Sequence, residues 1–268
     1  MNWKKLQNGS DIRGVALEGI EGEHVNLTPE VIETIAKSFV RWIRNTIGCQ
    51  TPKIAIGTDS RLSGATIKNA FIKGAVEAGA DIIDCSLAST PAMFMTTVND
   101  DVQATASVMV TASHLPYNRN GLKFFTPKGG LDNRDIADIL DIAERGDYAY
   151  DGAAGHLATL DFMTIYSSHI ADYICQGVHA DDYEHPLKGM HIVVDAGNGG
   201  GGFFERILSQ LGADTEGSQF LDPDGRFPNH IPNPENAEAM GSVCRAVADS
   251  NADLGVIFDT DVDRSAII

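Results

Sequence analysis

Apolar residues early in the chain fall at helical spacing: Ile32, Ile35, Phe39 and Ile43 follow Thr28 and Pro29. A threonine that can cap a first turn, a proline at its first position and that spacing predict an amphipathic helix with one buried face. The period then shortens. "KIAIG" (53–57), "DIIDC" (81–85) and "ASVMVTA" (106–112) are brief runs of strand-forming residues, and a helical pattern from about Ala65 to Gly79 separates the first two. This alternation predicts βαβ units around a mostly parallel sheet.

The helical stretch "NRDIADILDIAERGD" gives way to "YAYDGAAGHLATLD", Gly- and Ala-rich and only weakly periodic, where a domain boundary is expected. The alternation then restarts. A helix from about Phe162 to Gln176 precedes the strand and turn "MHIVVDAGNGGGG", a helix from Phe203, an irregular "LDPDGRFPNHIPNPE", a helix from about Asn236 and the strand "LGVIFD". The expectation is two similar α/β domains, 1–155 and 156–268, each a mixed, mostly parallel sheet flanked by helices. The sequence stops inside the apolar run "RSAII", so the second domain is expected to be cut short.

Charge narrows the partners. A formal net charge of −17 over 268 residues repels nucleic acid and anionic membrane surfaces. An anionic ligand would need a bound cation, or local Arg and Lys, to reverse that field. The four cysteines form no C-x-x-C pair, and neither a secretory h-region nor an 18-residue apolar run occurs. These features lead us to expect a cytoplasmic protein with reduced, structural thiols.

Two segments carry candidate chemistry. In "GVIFDTDVDR", Asp259, Asp261 and Asp263 alternate just past a strand. Three carboxylates so close repel one another unless a hard cation such as Mg²⁺ neutralises them, the bland alternative being a solvated acidic turn. An EF-hand is excluded, because its sixth position requires glycine and here holds Arg264. In "VMVTASHLPYNRNGLKFF", Ser113 follows a strand, and Pro116 with Asn120-Gly121 is suited to turning the chain back toward Lys123, whose neighbours Leu122 and Phe124 face the other way. A serine in such a place is a cap, a solvent contact or a reactive hydroxyl. His114 beside it does not make a serine hydrolase, because the G-x-S-x-G elbow is absent. Gly197, Gly199 and Gly202 formally match G-x-G-x-x-G, which is either a dinucleotide loop or a tight strand-to-helix turn; the one acidic partner for a ribose, Asp222, lies in a Pro-rich loop. Arg13 and Arg61, each in turn-like sequence beside glycine, are ordinary surface arginines or else the positive charge an anionic ligand requires.

Taken in order, "DIRG", "GTDSR", "TASHLPYNRNGLKFF", "VVDAGNGGGG", "PDGRFPNHIPNPE" and "FDTDVDR" resemble the α-D-phosphohexomutase superfamily, in its phosphoglucomutase/phosphomannomutase branch. The resemblance implies a phosphoserine enzyme that interconverts hexose 1-phosphates and 6-phosphates of glucose or mannose, with one Mg²⁺ per chain and a hexose 1,6-bisphosphate as intermediate and activator. By position, Ser113 looks like the phosphorylated serine. Asp259, Asp261 and Asp263 look like metal ligands, with a phosphoryl oxygen on Ser113 completing the site. Lys123 and His114 match the acid/base groups, and Arg13 and Arg264 match arginines that hold the phosphoserine region.

Departures from the pattern matter too. The family loop commonly reads S-H-N-P, whereas Leu115 stands here in place of the Asn. The resemblance covers the first two of the family's four domains and leaves out those that select the sugar and grip its distal phosphate, so these residues alone are expected to be inactive. Two other readings stay open: a non-catalytic module that binds Mg²⁺ or a sugar phosphate, and an aspartate-nucleophile phosphatase built on "FDTD".

Overall fold

The structure, a computed structural model, describes residues 2–268 and divides into two compact units, the first ending at Leu160 and the second Asp161–Ile268. In the first, a short 3-10 turn, Trp3–Leu6, leads into β1 (Gln7–Asn8) and β2 (Asp11–Val15). There follow α1 (Pro29–Thr46), β3 (Lys53–Thr58), α2 (Gly64–Glu77), β4 (Asp81–Leu87), α3 (Thr90–Val98) and β5 (Ala106–Val110). The unit closes with β6 (Arg119–Thr126), β7 (Gly129–Gly130), α4 (Asn133–Arg145) and β8 (Leu157–Thr159). Its sheet runs β1-β2-β6-β5-β3-β4-β8, with β7 paired to β6. The strands β5, β3, β4 and β8 are mutually parallel, and β6 joins β5 antiparallel.

The α1 helix begins as its sequence dictates, with the Thr28 hydroxyl accepting a bond from Val31 N–H at 3.5 Å. Ile32, Ile35, Phe39 and Ile43 are all fully buried. Along β6, Leu122 and Phe124 point into this same core, and the Phe39 and Phe124 rings meet with centroids 4.6 Å apart. The opposite sheet face is covered by α3, where the Ser107 hydroxyl donates to Met93 O at 2.6 Å. A Cβ on Gly57 of β3 would lie 2.6 Å from the Met93 sulfur, so a side chain there would displace α3. β8 pairs parallel with β4 and so packs with the first unit.

The second unit holds α5 (Phe162–Val178), β9 (Ile192–Asp195), α6 (Phe203–Gln210), α7 (Ala237–Ser250), β10 (Leu254–Phe258) and β11 (Ser265–Ile267). β10 pairs parallel with β9 and antiparallel with β11. Alternation along β10 splits its faces. Val256 and Phe258 pack with Phe203, Ile207 and Leu208 of α6, while Ile257 packs with Ala239 and Val243 of α7. All four cysteines are free thiols. Among the described residues, no helix is long and apolar enough to cross a membrane.

Candidate active site

In the first unit β3 and β5 are parallel neighbours with Thr58 opposite Val110, so the loops after their carboxyl ends emerge side by side, where open α/β sheets place ligands. Ser113 lies in the second of these loops, 3% exposed, with φ +54°. A serine seldom adopts that left-handed conformation, which costs on the order of 1–3 kcal/mol. Its N–H donates to the Thr111 hydroxyl at 2.8 Å, and its own hydroxyl lies 3.3 Å from His114 Nδ1.

Arg61 corrects one expectation from sequence. It is not a surface cation available to a ligand. Its side chain is fully buried, and the guanidinium is turned onto the backbone of the Ser113 loop. One terminal nitrogen donates to Pro116 O at 2.8 Å and Arg119 O at 3.0 Å; the other donates to Leu115 O at 2.7 Å and to Ser113 O. Its Nε donates to Asp59 at 3.2 Å. The same Asp59 oxygen accepts from the Thr111 hydroxyl at 2.7 Å.

Arg13 also differs from its turn-like sequence. It sits in β2 opposite Gly121, forms an ion pair with Asp11 at 2.8 Å and donates to Ala112 O at 3.3 Å. Asn120-Gly121 is likewise strand, not turn. A Cβ at Gly121 would come within 3.0 Å of Arg13 Cγ and 3.1 Å of Thr111 O, so glycine lets β2 and the Thr111 carbonyl close on β6. The chain reverses earlier, within residues 113–118. Lys123 lies opposite both Asp11 and Met109, which puts it on the sheet face that carries Arg13 and away from the core that takes Leu122 and Phe124.

In the second unit the loop after β10 brings Asp259, Asp261 and Asp263 together. One oxygen from each carboxylate lies within 4.8 Å of the others; Asp259 and Asp261 are fully buried and Asp263 is exposed. Burial, together with the charges of Asp261 and Asp263, pushes the Asp259 carboxyl up to about 7, and Arg264 offsets only part of this. Asp259 is framed from both sides. One oxygen accepts from the N–H groups of Asp263 and Arg264, each at 3.1 Å, and the other accepts the Arg264 guanidinium at 2.6 and 3.1 Å. Three hard oxygens on one buried, mutually repelling cluster fit a hard divalent cation. Val262, between them, has φ +65°, an outlier for a β-branched residue.

The glycine run supports this loop. A Cβ on Gly199 would lie 2.8 Å from Thr260 Cα and 2.7 Å from Thr260 O, and the neighbouring Gly200 N–H donates to that oxygen at 2.8 Å. The run is therefore a close-packed turn beneath the carboxylates. The exposed Asp222 offers its backbone carbonyl to the Asn198 amide.

Several residues went unread in the sequence. Asp59 and Thr111 have only their positions at strand ends as a signal. Asp195 and His230 form a buried pair at 3.0 Å. Burial alone would lower the imidazole, but the hydrogen bond and charge of Asp195 outweigh it and raise it.

Two sheets flanked by helices, one presenting a buried serine loop and the other three converging carboxylates that could hold a metal ion, define an α/β protein. The chain belongs to the phosphoglucomutase/phosphomannomutase family, whose alpha/beta/alpha domain I matches residues 4–149 and whose domain II matches residues 166–268. A phosphoglucomutase of Neisseria meningitidis serogroup B is 29% identical over 96% of this chain and 51% of its own length. A phosphomannomutase/phosphoglucomutase of Pseudomonas aeruginosa PAO1 is 30% identical over 88% of this chain and 49% of its own. Among solved structures, a phosphoglucomutase/phosphomannomutase family protein from Burkholderia thailandensis superposes with a TM-score of 0.78 at 24% identity, covering 99% of this chain and 54% of that one. The chain spans about half the length of the curated relatives it matches.

Proposed function

We propose that this chain supplies the phosphoryl-transfer half of a phosphohexomutase acting on glucose or mannose phosphates. One observation carries the reading: in a member of this family, three carboxylates, two of them fully buried, converge within 4.8 Å. These carboxylates repel one another, and Arg264 offsets only part of that repulsion at Asp259, so a bound cation would relieve it. In the proposed reaction a phosphoryl group resides on Ser113. The bond from phosphorus to Ser113 Oγ breaks as a bond to a sugar hydroxyl oxygen forms. That hydroxyl gives its proton to Lys123 or His114, and Ser113 Oγ regains a proton. The hexose 1,6-bisphosphate so formed turns over and returns its other phosphate to Ser113.

Phosphoryl transfer depends on alignment and charge neutralisation more than on covalent chemistry by the protein. Asp259, Asp261 and Asp263 would hold Mg²⁺, which neutralises phosphoryl oxygens when bound. Arg264 would keep Asp259 aimed, and Arg13 would steady the Ser113 loop at the Ala112 carbonyl. A coupled assay on glucose 1-phosphate and mannose 1-phosphate, with Mg²⁺ and a trace of the matching 1,6-bisphosphate, tests the reading in the protein that carries these residues. Conversion that Ser113→Ala abolishes is expected. Equal turnover in the variant would remove Ser113 from the reaction.

A further inference from the structure

We propose that Arg61 is the positioning residue of the Ser113 loop, setting the rate at which Ser113 exchanges a phosphoryl group and not the affinity for the sugar phosphate. The inference rests on the reading of Ser113 as the phosphorylated residue. It starts from where the loop's carbonyls point. A turn exposed to water sends its carbonyls in different directions, whereas here those of Ser113, Leu115, Pro116 and Arg119 all end on one buried guanidinium. Four acceptors fixed to a rigid planar fork determine the peptide planes of the whole reversal.

Asp59 completes the device. It offsets the buried charge, and through the Thr111 hydroxyl it reaches the Ser113 N–H, so Ser113 is gripped at both its amide and its carbonyl. Those two grips hold the left-handed φ of +54° and with it the direction of the side chain. Its guanidinium nitrogens are engaged by Asp59 and the four loop carbonyls, so Arg61 acts through the loop and not on the sugar phosphate. Lysine cannot replace it, for an ammonium is a point donor without a fork that spans four carbonyls.

The test follows a single phosphoryl transfer. Glucose 1,6-bisphosphate with Mg²⁺ is mixed with dephosphorylated protein, and uptake at Ser113 is timed by intact mass. A phosphorus bond to a sugar oxygen breaks, one to Ser113 Oγ forms, and the serine proton passes to the sugar oxygen. Arg61→Lys should slow uptake at saturating bisphosphate by about a hundredfold, the scale of a misplacement near 1 Å. The half-saturating concentration should stay within about threefold, since binding is not what is lost. Hydrogen exchange should accelerate in residues 111–119 and not in α1 or α4. Thr111→Val, which keeps the Arg61–Asp59 hydrogen bond but removes the hydroxyl that joins Asp59 to the Ser113 amide, should move rate and exchange in the same direction and decides the matter if Arg61→Lys fails to fold. Wild-type uptake rates in the variants, or loop exchange equal to wild type, would overturn the inference. If wild-type Ser113 takes up no phosphoryl group, the proposed function fails instead, and loop exchange alone judges the positioning.

Discussion

Replacing Gly199 by alanine should disturb the carboxylate cluster without touching any carboxylate. The added Cβ would sit 2.8 Å from Thr260 Cα, 2.7 Å from its carbonyl oxygen and 3.1 Å from its carbonyl carbon. Carbon atoms pack comfortably at about 3.5–4.0 Å, so the intrusion approaches 1 Å. The atoms met are backbone and cannot rotate aside, so Thr260 must move, and Asp259 and Asp261 flank it. Overpacking of this kind costs about 1–3 kcal/mol. Gly241, in α7 of the same unit, provides the control. A Cβ there meets nothing nearer than the tip of the Arg245 side chain at 3.4 Å. Gly241→Ala should therefore stabilise by about 0.5–1 kcal/mol, through helix propensity and reduced freedom of the unfolded chain. Urea unfolding measures both, and Mg²⁺ titration calorimetry should show weaker binding only in Gly199→Ala. Equal stability in the two variants, or unaltered Mg²⁺ affinity in Gly199→Ala, would refute the argument that the glycine run seats the carboxylate loop.

Further outcomes follow from particular contacts. Asp261→Ala should abolish most Mg²⁺ binding by calorimetry, whereas Asp222→Ala should leave it intact; equal losses would mean that general acidity holds the ion. Asp195→Asn should destabilise more at pH 5.5 than at pH 9 in urea unfolding. The raised His230 stabilises the fold below its ordinary value near 6.5 and loses that contribution as pH rises through the folded one, so a loss independent of pH would contradict the pair. Phe39→Ala should cost about 3–5 kcal/mol by the same measurement, since the ring is fully buried against Phe124 and Phe71.

What could be read in advance depended on whether the cause was local. α1 and α4 carry their own signals, a capped start and one apolar face, and α4 adds the reciprocal cap between Asp132 and Asp135. α3 escaped notice because "TPAMFMTTV" has no charged face to set a period; it packs against the sheet on Ala92 and Met93. Asp259, Asp261 and Asp263 were legible because a five-residue loop holds all three. Arg61 was misread for the opposite reason. Its carbonyl partners lie 52 to 58 residues away, and nothing beside it in the sequence says that they converge there. The same holds for Asn120-Gly121, whose turn-forming composition serves instead to let β2 and the Thr111 carbonyl approach β6.

The central claim is that Ser113 carries the transferred phosphoryl group. Peptide mapping by mass spectrometry, after incubation with glucose 1,6-bisphosphate and Mg²⁺, tests it most directly. The account predicts one phosphoryl group, on Ser113, absent when Mg²⁺ is chelated. A bare Ser113 with phosphate on another residue, or on none, would contradict it.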